Sequence, residues 1–213
     1  MSAFLGKVHY WLFNKILWFE ILESKILEIA KEENIDINIL IEETEKKYGG
    51  KLPQKPLEDL IDHQNIHGWL QDKIHSAEGR MAAYTKAILN EDSFAIDKLK
   101  AVYFMQGKEA AKEVKETKGE VNSAENIYSE MNNYILDGMP CDRVNEILEL
   151  GDECATWKRK TCVHKDIWEK EDIPVNVFYT LRDEWIKAFV ENVNEKFIYK
   201  IYEDNMFTIK IKK

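Results

Sequence analysis

The chain has 213 residues, 45% hydrophobic and 32% charged, the balance of a folded protein with room for one large domain or two small ones. Its net charge of −9 excludes a sequence-independent grip on nucleic acid, which needs a concentrated basic surface. Three cysteines, an odd number, do not make a disulfide framework and point to a reducing cytoplasm.

Ala3 to Leu22 is rich in large apolar residues but carries Lys7, His9, Asn14, Lys15 and Glu20, which makes it too polar to span a bilayer. It also lacks the pattern of a signal peptide. The periodicity predicts a first helix over Phe4–Glu33, with Leu5, Val8, Leu12, Ile16, Phe19, Ile26 and Ala30 on its stripe and Tyr10, Trp11, Phe13, Leu17 and Trp18 widening it. Such a helix contacts neighbours nearly all round. Trp11 and Trp18, seven residues apart, also suit an interfacial helix or a homodimer surface. Glu23 lies on the stripe and reads best as an ion pair at the edge of the core.

A short helix follows near Ile39–Lys47, then a loop marked by Gly49-Gly50 and by Pro53 and Pro56. The next stretch, Pro56–Asn90, reads as one long helix with proline at its first position and acids in its first turn. Leu60, Leu70, Ile74, Met81, Thr85 and Ile88 form its stripe, and His63, His67 and Glu78 fall on it too. Unpartnered polar groups there would cost ~2–7 kcal/mol each on transfer scales, so each needs a partner.

The following helical region opens at Phe94 and runs as far as Leu136, with weak points at Gly107 and Gly119 and a cap at Asn122 or Ser123. Gly138 and Pro140 stop it. Arg143–Val163 reads as a hairpin around Gly151-Asp152, its second strand carrying Cys154, Cys162 and His164 on one side and Trp157 on the other. A helix starting within Asp172–Asn176 carries Phe178, Leu181, Trp185 and Phe189. Arg182 with Asp183 and Glu184 reads as a surface charge cluster. Two alternating runs, Phe197–Tyr202 and Met206–Ile211, make a second hairpin. The fold class is α+β and predominantly helical: an N-terminal helical region over residues 1–92, then an α+β ligand-binding domain over residues 93–213.

Two constellations carry chemistry. His63, His67 and Glu78, completed by Glu23, Glu20 or His9 from the first helix, could hold a divalent metal in a bundle interior. The imidazoles could equally be neutral core residues with ordinary partners, since no His-Glu-x-x-His spacing is present. On a strand, Cys162 and His164 would point the same way ~7 Å apart and could pair as nucleophile and base, with Lys158, Arg159 and Lys160 lowering the thiol pKa. Buried free cysteine is the plain alternative.

The order of helical arm, hairpin, helix and hairpin from Phe94 onward resembles the ligand-binding fold of vinyl-reductase-type domains and the L-2-amino-thiazoline-4-carboxylic acid hydrolase-like proteins. In the latter a cysteine follows the first hairpin in a Cys-Pro step, where this chain has Cys162-Val163. The last turn keeps the aspartate, Asp204, and has no cysteine. The resemblance implies a small amide-like or thiazoline-like substrate at Cys162 and His164. The expected role is a cytoplasmic small-molecule-binding protein with catalytic Cys162 and His164 and a pocket walled by Trp157, Trp185 and Cys154. The alternatives are a metal-binding bundle using His63, His67 and Glu78, and a non-catalytic scaffold or homodimer. Neither a membrane span nor a nucleic-acid partner is expected.

Overall fold

A computed structural model describes residues 4–212, so Ala3 lies outside it. The fold is α+β and mostly helical, with seven α-helices and a four-stranded antiparallel sheet among the described residues. No helix among them is long and apolar enough to cross a membrane. The chain divides into two compact units: residues up to Ile96 with His164–Val175, and Asp97–Val163 with residues from Asn176 on. The sequence reading draws a single contiguous boundary after Asp92; here a twelve-residue return segment, His164–Val175, belongs with the N-terminal unit.

In the first unit α1 spans Lys7–Glu32, α2 spans Ile37–Tyr48 and α3 spans Ile66–Glu91. Leu12, Ile16, Ile26 and Ala30 of α1 meet Leu70, Ile74, Met81 and Ile88 of α3 in a core closed to water. The expected long helix from Pro56 is corrected here. Pro56 leads only a single 3-10 turn, Leu57–Asp59, and the α-helix begins ten residues later than expected, at Ile66. The physical reason is local. The Asp62 carboxylate takes the Gln64 amide, holding a turn, and Asn65 then caps α3 by accepting from the Gly68 amide. His63 therefore sits in the turn before the helix. The return segment adds α6, Lys165–Glu169, packed on α3, with Trp168 fully buried.

In the second unit α4 runs Ile96–Lys118 and ends at Gly119, whose φ of 78° supplies the left-handed stop. Ser123 caps α5, Ala124–Met131, through the Asn126 amide. The hairpins are β1, Asn145–Leu150, with β2, Cys154–Arg159, and β3, Phe197–Tyr202, with β4, Met206–Ile211. They join through β2 and β4 into one sheet of order β1-β2-β4-β3. Register places Ala155 and Trp157 of β2 opposite Ile209 and Phe207 of β4, on the face that α5 and α7, Val175–Val193, cover. Trp157 there stacks near Tyr128, Tyr199 and Phe207. The first hairpin ends earlier than expected, at Arg159, so Cys162 is not on a strand.

α4 and α7 touch at Gly107, where an added Cβ would come 2.3 Å from the Trp185 carbonyl oxygen. The side-chain amide oxygen of neighbouring Gln106, Oε1, accepts from the Trp185 indole at 3.0 Å. Gly107→Ala should therefore destabilise the protein. Overpacking costs about 1–3 kcal/mol, more than the ~1 kcal/mol that alanine gains over glycine inside a helix. A lower urea midpoint is the expected result; an equal or higher one would contradict the contact.

Candidate functional site

The structure does not bring His63, His67 and Glu78 together. His63 is exposed, its Nε2 paired with the Glu58 carbonyl at 3.2 Å. His67, in the first turn of α3, is also exposed and meets His9 of α1, Nε2 to Nε2 at 3.3 Å. Glu78 alone is buried, and its two oxygens pair with His164 Nδ1 at 2.9 Å. Among the described residues no three His, Cys, Asp or Glu side chains gather as a metal would require. The expected three-residue set came from a helix that starts too late to carry His63.

The expected pair of Cys162 and His164 is likewise not aligned along a strand, because β2 has ended. Cys162 is an exposed free thiol whose sulfur accepts from the Tyr179 hydroxyl at 3.1 Å. His164 is 0% exposed and held by Glu78 in the first unit. Of the three cations expected around the thiol, Arg159 lies over the Tyr179 ring at 3.5 Å and donates to Asn205 at 2.7 Å, while Lys160 pairs with Glu146. Cys154 is half-buried beside Thr156 on the opposite face of the sheet from Trp157. The expected wall residues are core instead: Trp157 is 2% exposed and Trp185 stacks on Phe189. The cavity that Trp157 lines with Arg182, Asp183 and Tyr199 has a volume of about 10 Å³, room for one water and not for a ligand.

Arg182 corrects another expectation. It is not a surface charge: it makes two parallel hydrogen bonds to Asp137, at 2.8 and 2.9 Å, in the interior of the second unit. Asp137 also accepts from Asn145, and Asp183 accepts from Tyr199. Burial pushes the Tyr199 hydroxyl pKa well up, and the neighbouring Asp183 adds to it. The cluster fastens α7 to the sheet.

In the first unit, buried charge meets open volume. Arg80 of α3, 0% exposed, points at α1. Its Nε donates to both oxygens of Glu23 at 3.1 Å, and its Nη2 to Glu20 at 2.5 Å and Glu23 at 2.8 Å. Its Nη1 donates to the carbonyls of Gly49 and Gly50, at 3.0 and 3.1 Å, and to Ser76 Oγ at 2.7 Å. Every guanidinium face is engaged, the geometry for which arginine is suited and lysine is not. Glu20 in turn accepts from the Leu52 amide at 3.1 Å, tying the α2–α3 connection to α1. Burial pushes the Glu23 carboxyl above its ordinary range, and the neighbouring Glu20 charge adds to this while Arg80 and Lys51 oppose it.

Glu20 forms part of the wall of a groove of about 530 Å³, between α1 and the connection, with apolar sides from Leu17, Ile21, Leu52, Pro53 and Pro56 and with Lys51 and Lys55 also in its lining. That volume falls inside the ~300–1,000 Å³ range of small-molecule sites. A groove of similar size, about 560 Å³, lies between the ends of α4 and α7, but charged and amide side chains such as Lys115, Glu120, Glu191 and Lys196 line it and its buried residues, Val121 and Val193, are apolar.

Glu23 was visible in the sequence as an acid on the buried stripe and Glu20 as one at its flank; Arg80 was not, because nothing in its local pattern marks it. The signal was indirect: two inward carboxylates on one helix demand a cation from a neighbour. Comparison with known protein families, with curated proteins and with solved structures finds no match.

Arg80→Met should leave Glu20 and Glu23 buried without their cation and lower stability at neutral pH by about 3–5 kcal/mol. Chemical denaturation checks this. A loss within the ~1 kcal/mol of an exposed pair would show that the cluster contributes no more than surface charges do.

Proposed function

We propose that the chain is a small-molecule-binding protein whose site is the groove beside Glu20. The ligand has an apolar body and a cationic amine, with the amine on Glu20 and the body against Leu17, Ile21, Leu52 and Pro53. The observation that carries this reading is the Glu20–Glu23–Arg80 cluster: two carboxylates share one buried guanidinium, and Glu20 opens on an apolar groove of ligand size. An amine at Glu20 would add a second charge-assisted hydrogen bond to an acceptor already fixed in place. The exposed Lys51 and Lys55 favour an acid at the other end of the ligand. The matching class is a small zwitterion with an apolar body.

This reading keeps the ligand-binding role expected from the sequence and moves it from the second unit to the first. The binding energy comes from apolar burial, ~25 cal/mol per Å², and the discrimination comes from the carboxylate. Calorimetric titration with phenylalanine, its amide and its N-acetyl derivative separates these contributions. Phenylalanine and the amide should bind, and the N-acetyl compound, which lacks the amine, at least tenfold more weakly. Glu20→Gln should erase that preference. Ile21→Trp, an exposed position on the groove wall, should block all three without touching the cluster. Equal binding of amine and N-acetyl compounds, or no binding by any, would contradict the proposal.

A further inference from the structure

The His9–His67 pair is not used by the groove, and its hydrogen bonds define its protonation. The Gly6 amide at the N-cap of α1 donates to His9 Nδ1 at 2.9 Å. This is the return half of a capping box, with an imidazole where glutamate or glutamine is usual. Because Nδ1 accepts, the single proton of a neutral His9 ring sits on Nε2. That Nε2 faces His67 Nε2 at 3.3 Å, with ring centroids 5.4 Å apart, so His67 must be the acceptor and carry its own proton on Nδ1. The same tautomer argument speaks against a metal shared between the two rings, since His9 Nε2 has no lone pair to offer while Gly6 occupies Nδ1.

We propose that this pair is a proton-sensitive latch that fastens the start of α1 to the start of α3 at neutral pH and releases it under mildly acidic conditions. A second proton on His9 would have to enter at Nδ1, against the Gly6 amide. A second proton on His67 would have to enter at Nε2, against the His9 N–H. Both rings also lie in the first turn of their helices, where the helix dipole opposes positive charge. No neighbouring acid relieves this. Glu58, from the 3-10 turn, accepts from the Tyr10 hydroxyl and faces His63, and Asp62 holds the Gln64 amide. Lys7 of α1 adds positive charge. Among the described residues no carboxylate bonds to either ring. Burial lowers the His9 pKa, and the charge of His67 lowers it further.

The sign follows. A histidine whose folded pKa lies below its unfolded value binds fewer protons when folded, so its contribution is intact above about pH 6.5 and is lost as pH falls through that value to the lowered one. The latch stands on its own contacts, whether or not the groove holds a ligand.

The test is an NMR titration of the full chain from pH 8 to pH 4.5, following the imidazole carbon-bound protons and the Gly6 amide nitrogen. His9 should titrate below 6.5, and the Gly6 shift should move with it. In His9→Asn, which keeps an acceptor for Gly6 without a titrating group, the Gly6 shift should become flat. A wild-type His9 midpoint at or above 6.5, or a Gly6 shift that ignores the His9 titration, would overturn the latch without recourse to any variant.

Discussion

The first unit depends on the burial of Arg80 between two carboxylates. Removing such ions from water costs several kcal/mol apiece, and the cost is offset only when each donor and acceptor finds a partner. Here the guanidinium reaches Glu20 and Glu23 on α1, the Gly49 and Gly50 carbonyls beyond α2, and Ser76 one turn back on its own helix. One side chain thereby fixes the spacing of α1 and α3 and the path of the loop between α2 and α3. Gly49 supports that path, because its φ of 79° is one that other residues rarely take. Close packing alone would hold α1 against α3, but it would not dictate where a proline-bearing loop lies. The ion cluster does that, and the groove is the space left between the loop and α1.

Other contacts continue the same theme. Tyr48 and Lys47, at the end of α2, both donate to Glu171 in the return segment, and Ser76 donates to the Tyr48 carbonyl at 2.5 Å. Glu78 holds His164 at the start of that segment. Polar side chains of α3 thus hold the elements around it in place: Ser76 and Arg80 on α2 and the loop, Arg80 on α1, and Glu78 on the return segment. The second unit uses a different mixture, an aromatic cluster around Trp157 with one part-buried arginine pair, Arg182 to Asp137. Around Trp157 its interior is filled, leaving a cavity of only about 10 Å³.

The fold was legible in the sequence where periodicity is strong. The last hairpin matches its two alternating runs, Phe197–Tyr202 and Met206–Ile211, and the first helix matches its wide apolar stripe. Boundaries were lost where a polar side chain bonded to its own backbone. The turn at Asp62 and the Asn65 cap displaced the start of α3, and with it His63. The end of β2 at Arg159 removed the strand geometry assumed for Cys162 and His164. The candidate site was legible by halves. Glu23 stood on the expected buried stripe and Glu20 only at its flank, but a cation supplied from fifty-seven residues away leaves no local pattern. Arg182 was misread for the same reason, since Asp137 lies forty-five residues earlier. Sequence periodicity marks which residues turn inward; it does not say whom they meet.

The central claim is that a buried carboxylate holds the loop against α1. The most direct measurement is amide hydrogen exchange at Leu52, whose N–H donates to Glu20 from within an otherwise irregular segment. The account predicts that this amide is protected in the native protein while that of Gln54 exchanges freely, and that Glu20→Ala removes the protection at Leu52 alone. Leu52 exchanging as fast as its loop neighbours in the unaltered chain would contradict it.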